Sequence, residues 1–420
     1  MYYSSIGFRE WFKLFFAFLI SPFVNKNSAR KSLNKILNPH FAASKVYPYS
    51  TSRAALASFL RIINLSHGDE IILSSFTCLA VPTAVVEAGG TPVYVDIDKN
   101  SLNTTVDQLL SAISAKTRAI VIQHTFGNPA DVETLVLALN NKNIIVIEDC
   151  ALSIGAKINE SPVGSFADAS IFSFELSKTI SIGWGGILIV NNSKLFDSAD
   201  LFYNSISEKK GINSFKDVFQ TLVSSICHSP SVYFFGKYII YAFFRIGLFR
   251  YSTTDEEINL NFKKGFIFKL NFPFTFLAAH QLSRMQFIIE NCNRNYHILR
   301  NSLVKNGFVV PDKNSFDCDS LFLSPSRISI FVGDKIKFIE LFNKNNIEVG
   351  LWFDGPLSPL PKLEKFQYNR EKYPEACFAA DHIVNLPCHS RMKNVDLKKI
   401  DNLIQQFANN YPDLVAPKSY

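Results

Sequence analysis

The sequence predicts an α/β protein, a mainly parallel sheet covered by helices and followed by a smaller α+β C-terminal domain. Three observations carry this. Between residues 52 and 149 short apolar runs of strand length alternate with runs of helical periodicity. The alternation lapses after Asn192, and a shorter helix and strand set follows the polar stretch 250–265. The 420 residues, 47% hydrophobic and 19% charged, are enough to bury a large core and to hold two domains of one folding unit. Gly and Pro scatter without a fixed period, which excludes solenoids and propellers.

The chain opens outside this alternation, with an apolar and basic extension over 1–45. In "FREWFKLFFAFLISPFV", Arg9 and Lys13 precede an uncharged run from Leu14 to Val24. That run is too short to span a bilayer, contains Pro22 and lacks a small-residue cleavage site. It reads as a packed or surface-lying helix. The large domain, 46–260, follows. "SRAALASFLRII" is a helix, "DEIILSS" a strand, "VPTAVVEAGG" a helix closed by Gly89 and Gly90, and "TPVYVDID" a strand. "SLNTTVDQLLSAIS" is a helix capped by Thr or Asn, "TRAIVIQHT" a strand, "DVETLVLALNNKN" a helix, and "IIVIEDC" a strand ending in Glu148 and Asp149. Near its end lies an apolar insert, about 215–249, broken by Pro230 and carrying Lys237 and Arg245. A helix pair over a core or a dimer partner is its plain reading, contact with a membrane surface the sharper one. The small domain, 261–420, holds a long amphipathic helix from "AAHQLSRMQF" to Gly307, the strands "SRISIFVG" and "IEVGLWF", and the helices "KIKFIELFNKNN" and "VDLKKIDNLIQQFANN".

The net charge of +7 comes without a basic stripe interleaved with aromatics, so no nucleic-acid partner is expected. Seven Cys without CxxC or clustered His support neither a metal site nor a disulfide framework, and a reducing cytoplasm is the expected compartment.

In open α/β sheets ligands sit beyond the carboxyl ends of strands, so those ends are where chemistry is sought. Ser50, Thr51, Ser52 and Arg53 open a helix, where free N–H groups favour an anion, although Ser and Thr there also serve as ordinary caps. Asp149 ends a buried strand, where a carboxylate needs a cation or strong donor, unless it merely caps a helix or pairs a structural Arg. Lys178 lies in "SIFSFELSKTISIGWGGILIVNN", five residues after Ser173 and before the Gly183 to Gly186 turn. Alone it could be a solvated charge. Desolvated, its amine would have a lowered pKa suited to Schiff-base chemistry. Anion site, strand-end acid and lysine together describe how a protein holds pyridoxal 5'-phosphate. His124 and Phe126 could line a substrate pocket, with plain turn packing as the alternative.

From Tyr47 to Phe407 the chain resembles the DegT/StrS-type nucleotide-sugar aminotransferases, most specifically in "IEDCALSIGAKINESPVGSFADASIFSFELSK" and "GGILIVNN". The resemblance implies the aspartate aminotransferase fold (fold type I), pyridoxal phosphate, and a homodimer with its sites between subunits. It makes Lys178 the Schiff-base lysine, Asp149 the partner of the pyridine nitrogen, Ser173 a phosphate ligand, and Ser52, Arg53 and Ala54 the phosphate loop. Cys78 stands where the family often stacks an aromatic ring on the cofactor. Further departures are Leu152 in place of the usual Gln, Ile154 for His, and Ile267 and Lys269 within "GFIFKLN". The implied reaction moves an amino group from an amino acid, L-glutamate, to a nucleotide-linked keto-sugar for polysaccharide, lipopolysaccharide or another glycoconjugate. Alternatives are a lyase acting on a small amino acid, or a catalytically weakened member held at the inner face of the membrane.

Overall fold

The computed structural model describes residues 6–24, 26–140, 142–209, 211–228, 232–260, 266–313 and 320–418. Pro230, Gly265 and Cys318 lie outside them. In chain order the first strands are β1 (Lys45–Tyr49), β2 (Glu70–Ser74), β3 (Thr77–Cys78), β4 (Thr91–Val95), β5 (Thr117–Gln123), β6 (Ile145–Asp149), β7 (Lys157–Ile158), β8 (Ser161–Pro162), β9 (Ala169–Ser173) and β10 (Gly186–Val190). Seven of them form one sheet in the order β1-β10-β9-β6-β5-β2-β4. Pairs from β9 to β4 are parallel, whereas β10 runs antiparallel to both β9 and β1. The central strands are buried along both faces, which is why they read as unbroken apolar runs. Helices Ser52–Ile62 and Ala80–Glu87 help build the core on one face, with Val132–Ala138 on the other. The expected fold class is the observed one.

The helix expected across "SLNTTVDQLLSAIS" is confined to Val106–Ser111, started by a capping box between Thr105 and Gln108. The apolar insert forms two helices, Gly211–Cys227 and Tyr233–Arg245. The extension forms two more, Phe8–Ile20 and Lys26–Leu37, both packed on helix Phe272–Leu282. Buried Glu10 fixes the first of these, accepting from the Gly7 N–H (2.9 Å) and meeting the guanidinium of Arg284.

Two expected elements come out differently. The single long amphipathic helix is two, Phe272–Leu282 and Met285–Lys305, divided where Ser283 Oγ donates to His280 O (2.8 Å) and Arg284 reaches out to Glu10. "IEVGLWF" is not a strand. Gly350 makes one bridge to Asn385, whose side-chain Oδ1 then takes the Trp352 N–H (2.8 Å), and the ladder stops.

The second core surrounds an antiparallel pair. After β11 (Leu321–Phe322) come β12 (Arg327–Phe331), β13 (Leu357–Ser358) and β14 (Ile383–Pro387), with β12 paired to β14. Helices Lys335–Lys344 and Asn394–Asn410 cover that pair. Helix Met285–Lys305 belongs to both cores: Ile288 and Cys292 pack under the large sheet, Tyr296, Leu299 and Leu303 in the second core. The two cores thus meet along this helix.

Candidate active site

Alternation along β6 sends its two terminal carboxylates to opposite faces. Glu148 is fully buried and accepts four hydrogen bonds, from the N–H groups of Gly164 (2.6 Å), Phe166 (2.9 Å) and Ala167 (3.0 Å) and from His124 Nε2 (3.1 Å). Ala130 N–H donates to His124 Nδ1 (2.9 Å), which leaves the ring proton on Nε2 for Glu148. The four bonds use the lone pairs of Glu148, so its cluster with His124 and Cys150 is a structural clamp. His124 therefore packs a turn. Asp149 faces the other way, buried, its Oδ1 accepting from Ala151 N–H (3.0 Å). Burial raises its carboxyl pKa, opposed by the Ala151 N–H and by Lys178 and His124.

Lys178 sits in the loop between β9 and β10, held by Lys178 N–H to Glu175 O (3.0 Å) and Ile182 N–H to Phe174 O (2.9 Å). Burial lowers its amine pKa below that of a free lysine; Glu175 and Cys78 oppose this and Arg327 adds to it. Its Nζ is 5.6 Å from the ring centre of Trp352, and the Arg327 guanidinium is 4.8 Å from the same ring. Arg327 also donates to Ser177 O (3.0 Å), and Thr179 Oγ1 donates to Ser324 O (3.3 Å). The second core thus roofs the lysine loop. Sequence reasoning missed Arg327 and Trp352; a cation opening the apolar run "RISIFV" was the one signal available.

The helix beginning at Ser52 is capped by Thr51, whose Oγ1 accepts from Ala54 N–H (3.1 Å). Of the three expected phosphate-loop residues, Ala54 thus has its amide engaged within the cap. The N–H groups of Ser52 and Arg53, at the helix start, have no carbonyl one turn earlier. This helix start lies directly on β10, where a Cβ on Gly186 would collide with Ser52 N. Gly186 is in register with Ser173 on one side and Tyr49 on the other, so the missing side chain brings Ser52 down beside Ser173. Arg53 pairs with Glu257 (2.6 Å), yet its Nε is a buried donor without a hydrogen-bond partner. Cys78 feels the charges of Lys178, Asp149 and Arg53, and burial raises its thiol pKa, with Lys178 opposing. The charges of Lys178, Asp149 and Arg53 thus act together on Cys78, and Ser52 approaches β10 at Gly186, the register partner of Ser173. The departures lie around this set: Leu152 packs among Phe76, Phe126 and Phe353, and Ile267 packs against the core that holds Tyr47 and Tyr49.

A sequence model of the DegT/DnrJ/EryC1/StrS aminotransferase family matches residues 34–405. This chain belongs to that family. Within it, the chain is 38% identical over 148 residues to a GDP-perosamine synthase of Escherichia coli O157:H7, covering 35% of this chain and 41% of that protein. It is 39% identical over 142 residues to a UDP-N-acetyl-3-dehydro-alpha-D-glucosamine 3-aminotransferase of Acidithiobacillus ferrooxidans, covering 34% and 38% of the two. The chain thus spans about two-fifths of the length of these relatives, 41% and 38%. Over nearly the whole chain the fold matches a Helicobacter pylori aminotransferase involved in the biosynthesis of pseudoaminic acid, with TM-score 0.73, 18% identity and coverage of 98% and 99%. A Brucella abortus DegT DnrJ EryC1 StrS aminotransferase gives TM-score 0.72 at 20% identity, covering 95% and 96%.

A pyridoxal phosphate group fits the donor set of this member of the DegT/DnrJ/EryC1/StrS aminotransferase family. The unpartnered Arg53 Nε and the helix-start N–H groups suit a phosphate, buried Asp149 suits a cationic ring nitrogen, and Lys178 offers a desolvated amine.

Proposed function

We propose that the protein is a pyridoxal-phosphate-dependent aminotransferase that moves an amino group from an amino acid, L-glutamate, to a nucleotide-linked keto-sugar in polysaccharide or other glycoconjugate synthesis. The observation that carries this reading is the meeting of a buried, pKa-lowered Lys178 with buried Asp149 beside the helix start at Ser52. The substrate class rests on relatives named for GDP-, UDP- and dTDP-linked sugars. The cofactor rests on the donor set and on a Streptococcus pneumoniae protein of the same fold, described in PLP, PMP and apo forms.

When bound, pyridoxal phosphate supplies the carbonyl carbon that takes the amino group and the ring that absorbs the resulting electron pair. The chain supplies the rest. Ser52 and Arg53 N–H, Arg53 Nε and Ser173 Oγ would hold the phosphate oxygens. Asp149 would accept a hydrogen bond from the ring nitrogen and favour its protonated form, more strongly for a buried pair. Lys178 Nζ, neutral at a lower pH than a free lysine, would take the proton from the donor's α-carbon and return it two atoms along, to the former carbonyl carbon. Trp352 and Arg327 close the lysine side against water. Cys78, where the family resemblance implies an aromatic ring stacked on the cofactor, would leave more room there. A homodimer in the cytoplasm is the assembly we propose.

The test is spectroscopic and then chemical. Purified protein is expected to show the absorbance of lysine-bound pyridoxal phosphate, bleached by glutamate and missing in Lys178→Ala. Protein that carries no cofactor by mass spectrometry would sink the reading. Turnover of an amino acid without any keto-sugar would make it a lyase instead.

A further inference from the structure

Helix Phe8–Ile20 is apolar on its outer face as well as its inner one. Its buried positions are Glu10, Leu14 and Ala17, whereas Phe8, Phe12, Phe15, Phe16 and Leu19, spaced along one stripe, are exposed. Phe8, Phe12 and Phe16 are 78%, 55% and 55% exposed, far more than core-forming rings tolerate. The stripe is not an isolated oddity. The helix packs against Gly211–Cys227 through Phe18 and Phe215, whose ring centres are 5.9 Å apart, and that helix packs in turn on Tyr233–Arg245. The last of these exposes Ile239 and Tyr241, with Ile246 just beyond its end.

The charge lies in the same places. Residues 1–45 carry seven Lys and Arg against one acid, Glu10, and residues 211–251 carry four against one, Asp217. Both acids are buried and already paired, Glu10 with Arg284 and Asp217 with Lys209 and Arg250. With a net charge of +7 for the chain, everything outside these two segments is slightly acidic. An apolar aromatic stripe set in a basic field is the chemistry of an interfacial helix on anionic lipid. A second copy is the poorer occupant, because a two-fold contact would lay this basic face against itself. Among the described residues no helix is long and apolar enough to cross a membrane, so contact would be peripheral.

We propose that helix Phe8–Ile20, supported by the helices of the 211–245 insert, binds this protein to the surface of an anionic phospholipid bilayer, its Phe stripe buried among the acyl chains and its Lys and Arg at the headgroups. The proposal does not depend on the catalytic reading, since binding is measured without turnover. Sedimentation of the full-length protein with vesicles tests it. The protein is expected to pellet with vesicles in which a third of the lipid is phosphatidylglycerol, to pellet less with pure phosphatidylcholine, and to be released by salt. Phe12→Ser/Phe16→Ser should weaken binding at least about tenfold, with circular dichroism and melting temperature unchanged. Should the double variant not fold, Leu19→Ser on the same stripe should weaken binding in the same direction. Arg9→Glu/Lys13→Glu should lower binding to the anionic vesicles alone. Wild-type protein that stays in the supernatant with anionic vesicles overturns the proposal, as do folded stripe variants that pellet like wild type. A stripe variant that turns a dimer into a monomer in analytical ultracentrifugation without altering vesicle binding makes the stripe a subunit contact and overturns it too.

Discussion

At the scale of single residues, Lys178 and Asp149 stand out in the sequence as candidates because Asp149 ends a strand and Lys178 follows one, and strand ends in such sheets converge on one edge. Arg327 and Trp352 are not, since only the tertiary fold carries them from the second core to the lysine loop. Lys178→Ala should cut single-turnover conversion of glutamate by more than about a thousandfold, because it removes the proton carrier as well as the anchor. The same residue has a stability signature without cofactor. Its folded pKa lies below its unfolded value of 10.5, so between the two the unfolded chain binds more protons and stability rises with pH. Lys178→Met should therefore stabilise the cofactor-free protein at neutral pH. Chemical denaturation should find the advantage shrinking as pH approaches 10.5. The raised thiol pKa of Cys78 has a simple readout as well: it should alkylate slowly at neutral pH, by peptide mass mapping, unlike an activated cysteine.

Among elements, the βα alternation is readable because each strand buries both faces and each helix one, giving distinct periods. The failures share a cause. The break at Ser283 and the aborted strand at Gly350 depend on side chains bonding to distant backbone or to a turn, as in Asn385 with Trp352 N–H, and no local periodicity reports such bonds. Gly186 belongs to this scale, since it decides how closely the helix start approaches β10. Gly186→Ala should cost about 1–3 kcal/mol by forcing that helix off the sheet, seen as a lower melting temperature. If the phosphate grip depends on the same approach, pyridoxal phosphate affinity should fall with it.

Across the whole molecule, helix Met285–Lys305 spans both cores, with Ile288 and Cys292 in the first and Tyr296, Leu299 and Leu303 in the second. The N-terminal segment is clipped to this frame at two distant points, Glu10 to Arg284 and Ile6 O to Arg391 (2.8 Å). Glu10→Gln should destabilise the protein by about 1–3 kcal/mol by weakening a buried carboxylate pair, measured by thermal or urea unfolding.

That clip has a consequence for how the molecule is made. The partners of the first helix, helix Phe272–Leu282, Arg284 and Arg391, lie far later in the chain. At the usual pace of translation a nascent chain waits on the order of tens of seconds between the first helix and residue 284. Throughout that interval the Phe stripe has no docked helix behind it. The segment's apolar residues thus gain their packing partners in this fold only once residues 272–284 have been synthesised.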